Sequence, residues 1–202
     1  MKLFTLYNLE GNLNTYLVGH EDGGDALIID PGHIDLYLLN LLEDNNYHIK
    51  SILITHDHDF HTKGVKTLMR IYEPLIYSKR AMISEHPTIT IKTKSVLKLL
   101  GFDITVIEIP GHSDDSLVYK IRNALFTGDV LSAGKIGYTP NSVAKKLLQE
   151  NIEKKIFSIK EDLTIFPGHG PPTTLKAEKE FNSFSHVTLA DSGKKPDFNA
   201  KY

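Results

Sequence analysis

The chain has 202 residues, 41% of them hydrophobic and 24% charged, which is enough to bury a sizeable core in one globular domain. Its formal charge of −2 gives no electrostatic pull toward nucleic acid or anionic lipid. The absence of cysteine excludes disulfides, thiolate metal ligands and a cysteine nucleophile.

The opening residues alternate apolar and polar, without the basic start and unbroken apolar run of a signal peptide. No run approaches the ~20 apolar residues that span a bilayer, so a cytoplasmic location is expected. Lys2–Asn8 and Asn14–Val18 read as strands, and a third, Ala26–Asp30, ends at Pro31-Gly32. Asn12 and Gly23-Gly24 supply the turns, giving an antiparallel start to a sheet. The rhythm then changes to a helix over Leu36–Leu42, a buried strand Ser51–Thr55, a helix Val65–Tyr72 and a strand Leu75–Tyr77, the alternation of α/β layering. Lys92–Leu100 reads as a helix ended by Gly101. Strands follow at Asp103–Ile109, Leu117–Ile121 and Ala124–Phe126, then an amphipathic helix over about Ser142–Ile159, the strand Thr164–Phe166 and a last helix Thr174–Phe184. The pattern predicts one mixed α/β domain over residues 1–190 and a polar tail, Asp191–Tyr202.

Five of the ten histidines fall in three short segments at predicted strand ends, where ligands of open α/β sheets gather. His56 and His58, two apart in extended backbone, share a face. A chain turning into a helix after them could bring His61 back beside them. His112 follows Ile109-Pro110-Gly111, Asp129 follows Phe126-Thr127-Gly128, and His169 follows Phe166-Pro167-Gly168. Imidazole with carboxylate suits zinc, iron or manganese. His20, His33, His48, His86 and His186 lack spacing partners and read as surface or core residues.

These segments resemble the motifs of the metallo-β-lactamase superfamily. Thr55–His61 is similar to its Thr-His-x-His-x-Asp-His motif, and Ile28-Ile29-Asp30-Pro31-Gly32 to its early Asp motif, where Asp30 supports the metal loop. Gly111-His112-Ser113, Thr127-Gly128-Asp129 and Pro167-Gly168-His169-Gly170 resemble the remaining motifs in their usual order. The resemblance implies an αββα sandwich, an α/β (α+β layered) fold. A finer resemblance, carried by Gly128-Asp129-Val130-Leu131, Ile136–Thr139 and Pro167–Thr174 with Glu178, Lys179, Glu180 and Asn182, points to the short glyoxalase II-like hydroxyacylglutathione hydrolases. The chain departs from them at Tyr138, where Arg is usual, and the C-terminal helical domain of full-length glyoxalase II is not expected in it.

By this resemblance His56, His58 and His112 hold a first metal, His61 and His169 a second, and Asp129 bridges them. The ion is expected to be zinc, one or two per chain, with iron or manganese as alternatives. The catalytic centre is then Asp129, His56, His58 and His112, with Lys135 and Tyr138 as substrate contacts. The expected chemistry is attack of metal-activated water on a small ester or thioester. Phe60 stands where the family carries Asp. That removes one of only two carboxylates and leaves two outcomes open, a weakened second site or a mononuclear one. Two rival readings remain: an iron persulfide dioxygenase using His56, His112 and Asp129, and a non-catalytic metal-binding or ligand-sensing protein. Gly111–Asp115 fails as a serine-hydrolase elbow because Asp115 replaces its last glycine, and Gly128–Lys135 fails as a phosphate loop on spacing. The expected partner is a small-molecule substrate, neither nucleic acid nor membrane, and a homodimer follows the habit of the superfamily.

Overall fold

In the computed structural model, which describes residues 1–92 and 95–184, two six-stranded sheets face each other between helices. The first sheet begins with β1 (Lys2–Asn8), β2 (Leu13–Gly19) and β3 (Gly24–Ile29), which form the antiparallel start expected from the sequence. Then come α1 (Leu36–Asp44), β4 (Tyr47–Leu53), the single turn α2 (Asp59–Thr62), α3 (Val65–Tyr72) and β5 (Leu75–Ser78). From β3 onward the pairing is parallel, in the order β1-β2-β3-β4-β5 with Ile89–Thr90 at the far edge. The short strands β6 (Met82–Ile83), β7 (His86–Pro87) and β8 (Ile89–Thr90) lie in a stretch the sequence left unassigned. Two-residue strands carry too little periodicity to be seen.

The second sheet is built from β9 (Val96–Leu99), β10 (Phe102–Glu108), β11 (Leu117–Ile121), β12 (Ala124–Gly128), β15 (Thr164–Pro167) and β16 (Thr173–Thr174). Its order is β16-β15-β12-β11-β10-β9. Between β12 and β15 lie the small hairpin β13 (Leu131–Ser132) and β14 (Lys135–Ile136), then α4 (Ser142–Asn151) and a π-helical continuation over Ile152–Phe157. The expected helix to about Ile159 is thus one amphipathic segment whose last turns widen. Asn141 starts it by accepting the Ala144 N–H, and Thr174 starts α5 (Leu175–Phe181) in the same way.

The expected helix over Lys92–Leu100 is a strand instead. Residues 93 and 94 lie outside the description, and Val96–Leu99 pairs antiparallel with β10. Leu100 and Gly101 both have positive φ, at 51° and 77°, which makes the two-residue turn that closes a hairpin. Pairing with β10 therefore overrode a weak helical rhythm. The expected tail, Asp191–Tyr202, lies outside the described residues.

Alternation of side chains sorts the core into layers. Tyr16, Val18, Leu27, Ile29, Tyr119, Ile121 and Phe126 point between the sheets. Leu17, Ile28 and Ile52 face α1 and α3, while Val118, Leu125 and Ile165 face α4 and α5. The sandwich is therefore αββα. At its centre Tyr16, Phe126 and Phe166 form a ring cluster with centroids 5.1–5.6 Å apart. The Tyr16 hydroxyl escapes this apolar setting by donating to the Pro167 carbonyl at 2.6 Å, and Tyr119 donates to Ile54 at 2.7 Å. Both bonds tie the core to loops that carry the histidines.

Candidate metal centre

Each candidate ligand sits where a strand ends. Asp30 follows β3, the segment 55–61 follows β4, Asp129 follows β12 and His169 follows β15. Because β3 pairs parallel with β4, and β12 with β15, these ends lie on one edge of the sandwich. His112 arrives from the β10–β11 loop, anchored by the Leu117 N–H donating to the Thr55 carbonyl at 2.8 Å.

The geometry brings all six predicted ligands together in two groups that share Asp129. In the first, His56 Nε2 lies 2.8 Å from His58 Nδ1, and His112 Nε2 lies 3.3 Å from both. Asp129 Oδ2 faces them at 3.9 Å from His56 Nε2 and 3.7 Å from His112 Nε2. In the second, His61 Nε2 and His169 Nε2 lie 3.3 and 3.4 Å from the other oxygen, Oδ1. A tetrahedral ion with nitrogen ligands at ~2.0–2.1 Å would hold them about 3.3 Å apart, the separation of His112 Nε2 from both its neighbours in the first group and of His61 and His169 from Oδ1 in the second. Among the described residues only three buried side-chain atoms make no hydrogen bond, and two of them are His61 Nε2 and Asp129 Oδ1. Two such buried polar atoms facing each other at 3.3 Å fit a cation held between them, once His61 Nε2 gives up its proton.

The outer nitrogens of four histidines are fixed. His56 Nδ1 lies 3.1 Å from Thr55 Oγ1 and His61 Nδ1 lies 2.9 Å from Asp30 Oδ2. His112 Nδ1 is 2.8 Å from the Tyr138 carbonyl and His169 Nδ1 is 2.9 Å from the Asn12 carbonyl. These contacts set the tautomers that leave the inner nitrogens as donors. Asp30 also accepts the Thr55 N–H at 2.7 Å and the Thr55 hydroxyl at 2.6 Å, the supporting role expected from the sequence. The turn of α2, with the His61 N–H bonded to the His58 carbonyl at 2.9 Å, returns His61 to the cluster as expected.

The charges follow. Burial and the neighbouring His61 push His56 down to about 2, and burial with His112 lowers His58. Burial opposes charge on His61 too, but the Asp30 and Asp129 carboxylates win and push it up to about 10. Asp129 raises His169, while the histidines hold Asp129 well below the usual carboxylate range against its burial.

Phe60 contributes no donor. Its ring lies against Gly11, where a Cβ would sit 2.6 Å from the Phe60 Cγ, and 48% of the residue is exposed. Neither Asp57 nor Asp59 belongs to either group. Lys135 and Tyr138 line a cleft of about 690 Å³ with Lys145, Gln149 and Phe184, beside His112. Tyr138 is 81% exposed, and its main-chain carbonyl is the part that touches a ligand residue.

Sequence reasoning missed the outer supports. Buried Asp115 accepts the Asp57 N–H at 2.9 Å and meets Arg80 Nε at 3.2 Å, so it pins the first histidine segment to the His112 loop. Asn14 donates to the carbonyls of Pro167 and Gly170 at 3.1 and 2.7 Å, clamping the loop of His169. The Asp57 and Asn14 contacts run to main-chain atoms, which leave no side-chain pattern.

No family model matches the chain. Among solved structures, a B3 metallo-β-lactamase superposes with a TM-score of 0.82 at 26% identity, over 91% of this chain and 99% of that one. The chain has the metallo-β-lactamase superfamily fold. ETHE1 from Myxococcus xanthus shares the fold at a TM-score of 0.82 and 21% identity, over 98% of this chain and 93% of that one. A protein solved in a di-iron-bound form matches at 0.75 and 26% identity, covering 90% of this chain and 99% of that one. A probable metallo-hydrolase from Streptococcus pyogenes is 28% identical over 92% of this chain and 91% of its own length. A hydroxyacylglutathione hydrolase from Tolumonas auensis is 25% identical over 85% of this chain, which spans 64% of that relative. Among the described residues no helix is long and apolar enough to cross a membrane.

Proposed function

We propose that the protein is a metal-dependent hydrolase of a small ester or thioester, most simply a zinc enzyme, with iron or manganese as alternative ions. The observation that carries this reading is the split carboxylate of Asp129, one oxygen toward three imidazoles and the other toward two. A divalent cation bound there supplies Lewis acidity toward a carbonyl oxygen and a water that ionises near neutral pH.

The residues of the chain do the rest. His56 and His58 present unprotonated nitrogens, because burial and repulsion from the neighbouring imidazoles lower both, and His112 completes the set. Asp30 and the Asn12 and Tyr138 carbonyls hold the rings in place, so little reorganisation is needed when substrate arrives. Lys135 and Tyr138, lining the cleft beside His112, are the proposed substrate contacts, with Lys135 suited to an anionic group. A thioester fits this site because a thiolate leaves without a strong general acid, and the second group has lost a carboxylate at Phe60.

A single iron on His56, His112 and Asp129, the persulfide dioxygenase reading, leaves His58 without a part. The placement of His58 Nδ1 within 2.8 and 3.3 Å of the other two imidazoles favours the three-histidine set. A hydrolysis screen on metal-replete wild type beside His58→Ala tests the proposal. Thioester or ester turnover should fall to background in the variant. Turnover that survives, or none in wild type, would refute it; oxygen uptake with a persulfide would favour the iron reading.

A further inference from the structure

Helix α5 carries a buried acid that belongs to neither metal group. Glu178 is 3% exposed, and both of its carboxylate oxygens accept hydrogen bonds. Oε1 takes the Thr173 hydroxyl at 2.8 Å and Oε2 the Asn182 amide at 2.6 Å, while the Gly134 N–H lies 3.2 and 3.0 Å from the two. All three of these partners are donors, which suits a carboxylate; the nitrogen of a glutamine would face a donor. The Gly134 bond is the one that reaches the site. Gly134, with a φ of 76°, turns the β13–β14 hairpin, in which Ser132 faces Lys135 and Leu131 faces Ile136. Its carbonyl also accepts the Ser183 N–H at 3.3 Å, so the turn is held from α5 on both sides. The hairpin presents Lys135 to the cleft beside His112. It continues through Gly137, whose N–H donates to Val130 at 3.2 Å, to the Tyr138 carbonyl 2.8 Å from His112 Nδ1. There is no slack at Gly137, where a Cβ would collide with the Asp129 carbonyl oxygen and lie 3.3 Å from His112 Nδ1. Movement of the hairpin is therefore passed to His112.

We propose that Glu178 is a positioning residue for the substrate cleft and the first metal group. Its carboxylate holds the hairpin tip. The hairpin in turn places Lys135 in the cleft and the Tyr138 carbonyl against His112, which fixes the ring with Nε2 toward the ion. The use of the cleft by substrate rests on the hydrolase reading, whereas the link from Glu178 to His112 rests on hydrogen bonds alone.

The test compares wild type, Glu178→Gln and Thr173→Val in the full chain. Amide exchange and the nitrogen-15 signals of the histidine rings are read without metal, and first-ion affinity by zinc competition with a chelator. In Glu178→Gln the Gly134 and Gly137 amides should lose protection by about tenfold or more. The His112 ring signals should shift as Nδ1 loses its fixed partner, and the first ion should weaken by about 10–100-fold. Thr173→Val takes a donor from the same carboxylate but leaves the Gly134 bond, so it should lower the melting temperature without those three changes. Wild-type behaviour of Glu178→Gln in all three would overturn the inference. The same losses in Thr173→Val would overturn it as well, by making Glu178 a general prop for α5. Wild type alone guards against a variant that fails to fold: Gly134, at an exposed hairpin tip, should exchange as slowly as Gly137, and exchange at the rate of a free peptide would refute the link. None of these readouts needs turnover, so a chain that hydrolyses no ester or thioester refutes the hydrolase reading while the link is decided by exchange and ring signals.

Discussion

Gly168 is the position where one methyl group should separate the two metal groups. Its φ lies outside the left-handed region, so alanine brings no backbone strain, and the whole effect is spatial. A Cβ there would sit 2.5 Å from Asp129 Oδ1, 2.8 Å from His61 Cε1 and 3.0 Å from the Gly128 carbonyl carbon. The backbone cannot retreat, because the Gly168 N–H donates to Gly128 at 2.7 Å and the Gly168 carbonyl accepts from the Asn14 N–H at 2.8 Å. The strain must therefore fall on Asp129 and His61, which have to move by roughly 0.5–1 Å at a cost of about 1–3 kcal/mol. For a chain of this size that lowers Tm by roughly 2–4 °C per kcal/mol. The methyl invades the side of the second group, whereas Oδ2 and the three imidazoles of the first face away from it. Gly168→Ala should thus lose the second ion while keeping the first, read by elemental analysis and zinc titration beside a thermal melt. A variant that binds two ions with wild-type affinity would refute the placement of the second site.

Three further outcomes follow from the supports of the site. Asp30→Asn keeps the shape but removes the charge facing His61 Nδ1, so zinc affinity of the second group should fall by about 10–100-fold, measured by competition with a chelator. Asp115→Asn weakens the clamp on the Asp57 N–H and the pairing with Arg80, costing about 1–3 kcal/mol and loosening the first ion; a melt and titration matching wild type would remove Asp115 from the site. On pH, a metal must displace any proton its ligands hold. His56 lies near 2 and needs no deprotonation at pH 7, whereas His61, pushed up to about 10, does. The second ion should therefore release protons on binding and tighten as pH rises toward that value, while His56 adds no such dependence to the first; calorimetry in buffers of different ionisation enthalpy counts the protons.

The six residues that converge were legible as candidates because each follows a strand and carries its own chemistry. His56 and His58 share a face by the period of two, and the Gly-His and Gly-Asp pairs mark where chain leaves sheet. The layering was legible for the same reason, as long buried strands such as β2 and β4 leave continuous apolar runs. Lys92–Leu100 was misread because Val96–Leu99 gains its identity only from pairing across the Leu100-Gly101 turn, a contact invisible to a local window. The supports of His169 and of Asp57 were hidden in a different way. Asn12 acts through its carbonyl and Asp115 receives an N–H, and any residue type offers those main-chain groups.

The centre also opposes the stability of the fold that holds it. Asp30 adopts a φ of 49°, unfavourable for a residue with a side chain, and His61 Nε2 and Asp129 Oδ1 are buried without partners. Such features persist where the surroundings over-determine them, and here the surroundings are specific. Asp30 is fixed by both donors of Thr55, and the loop of His169 is fixed by Tyr16 and Asn14 from the first sheet. The histidines are thus held by bonds that do not involve a cation. Phe60 packs against Gly11, next to the Asn12 carbonyl that orients His169, and so supports the loop that positions that imidazole. On that scaffold His61 and His169 Nε2 converge on Asp129 Oδ1 at 3.3–3.4 Å, the spacing of donors around one cation, so the strain and the unpaired polar atoms fall where an ion would relieve them.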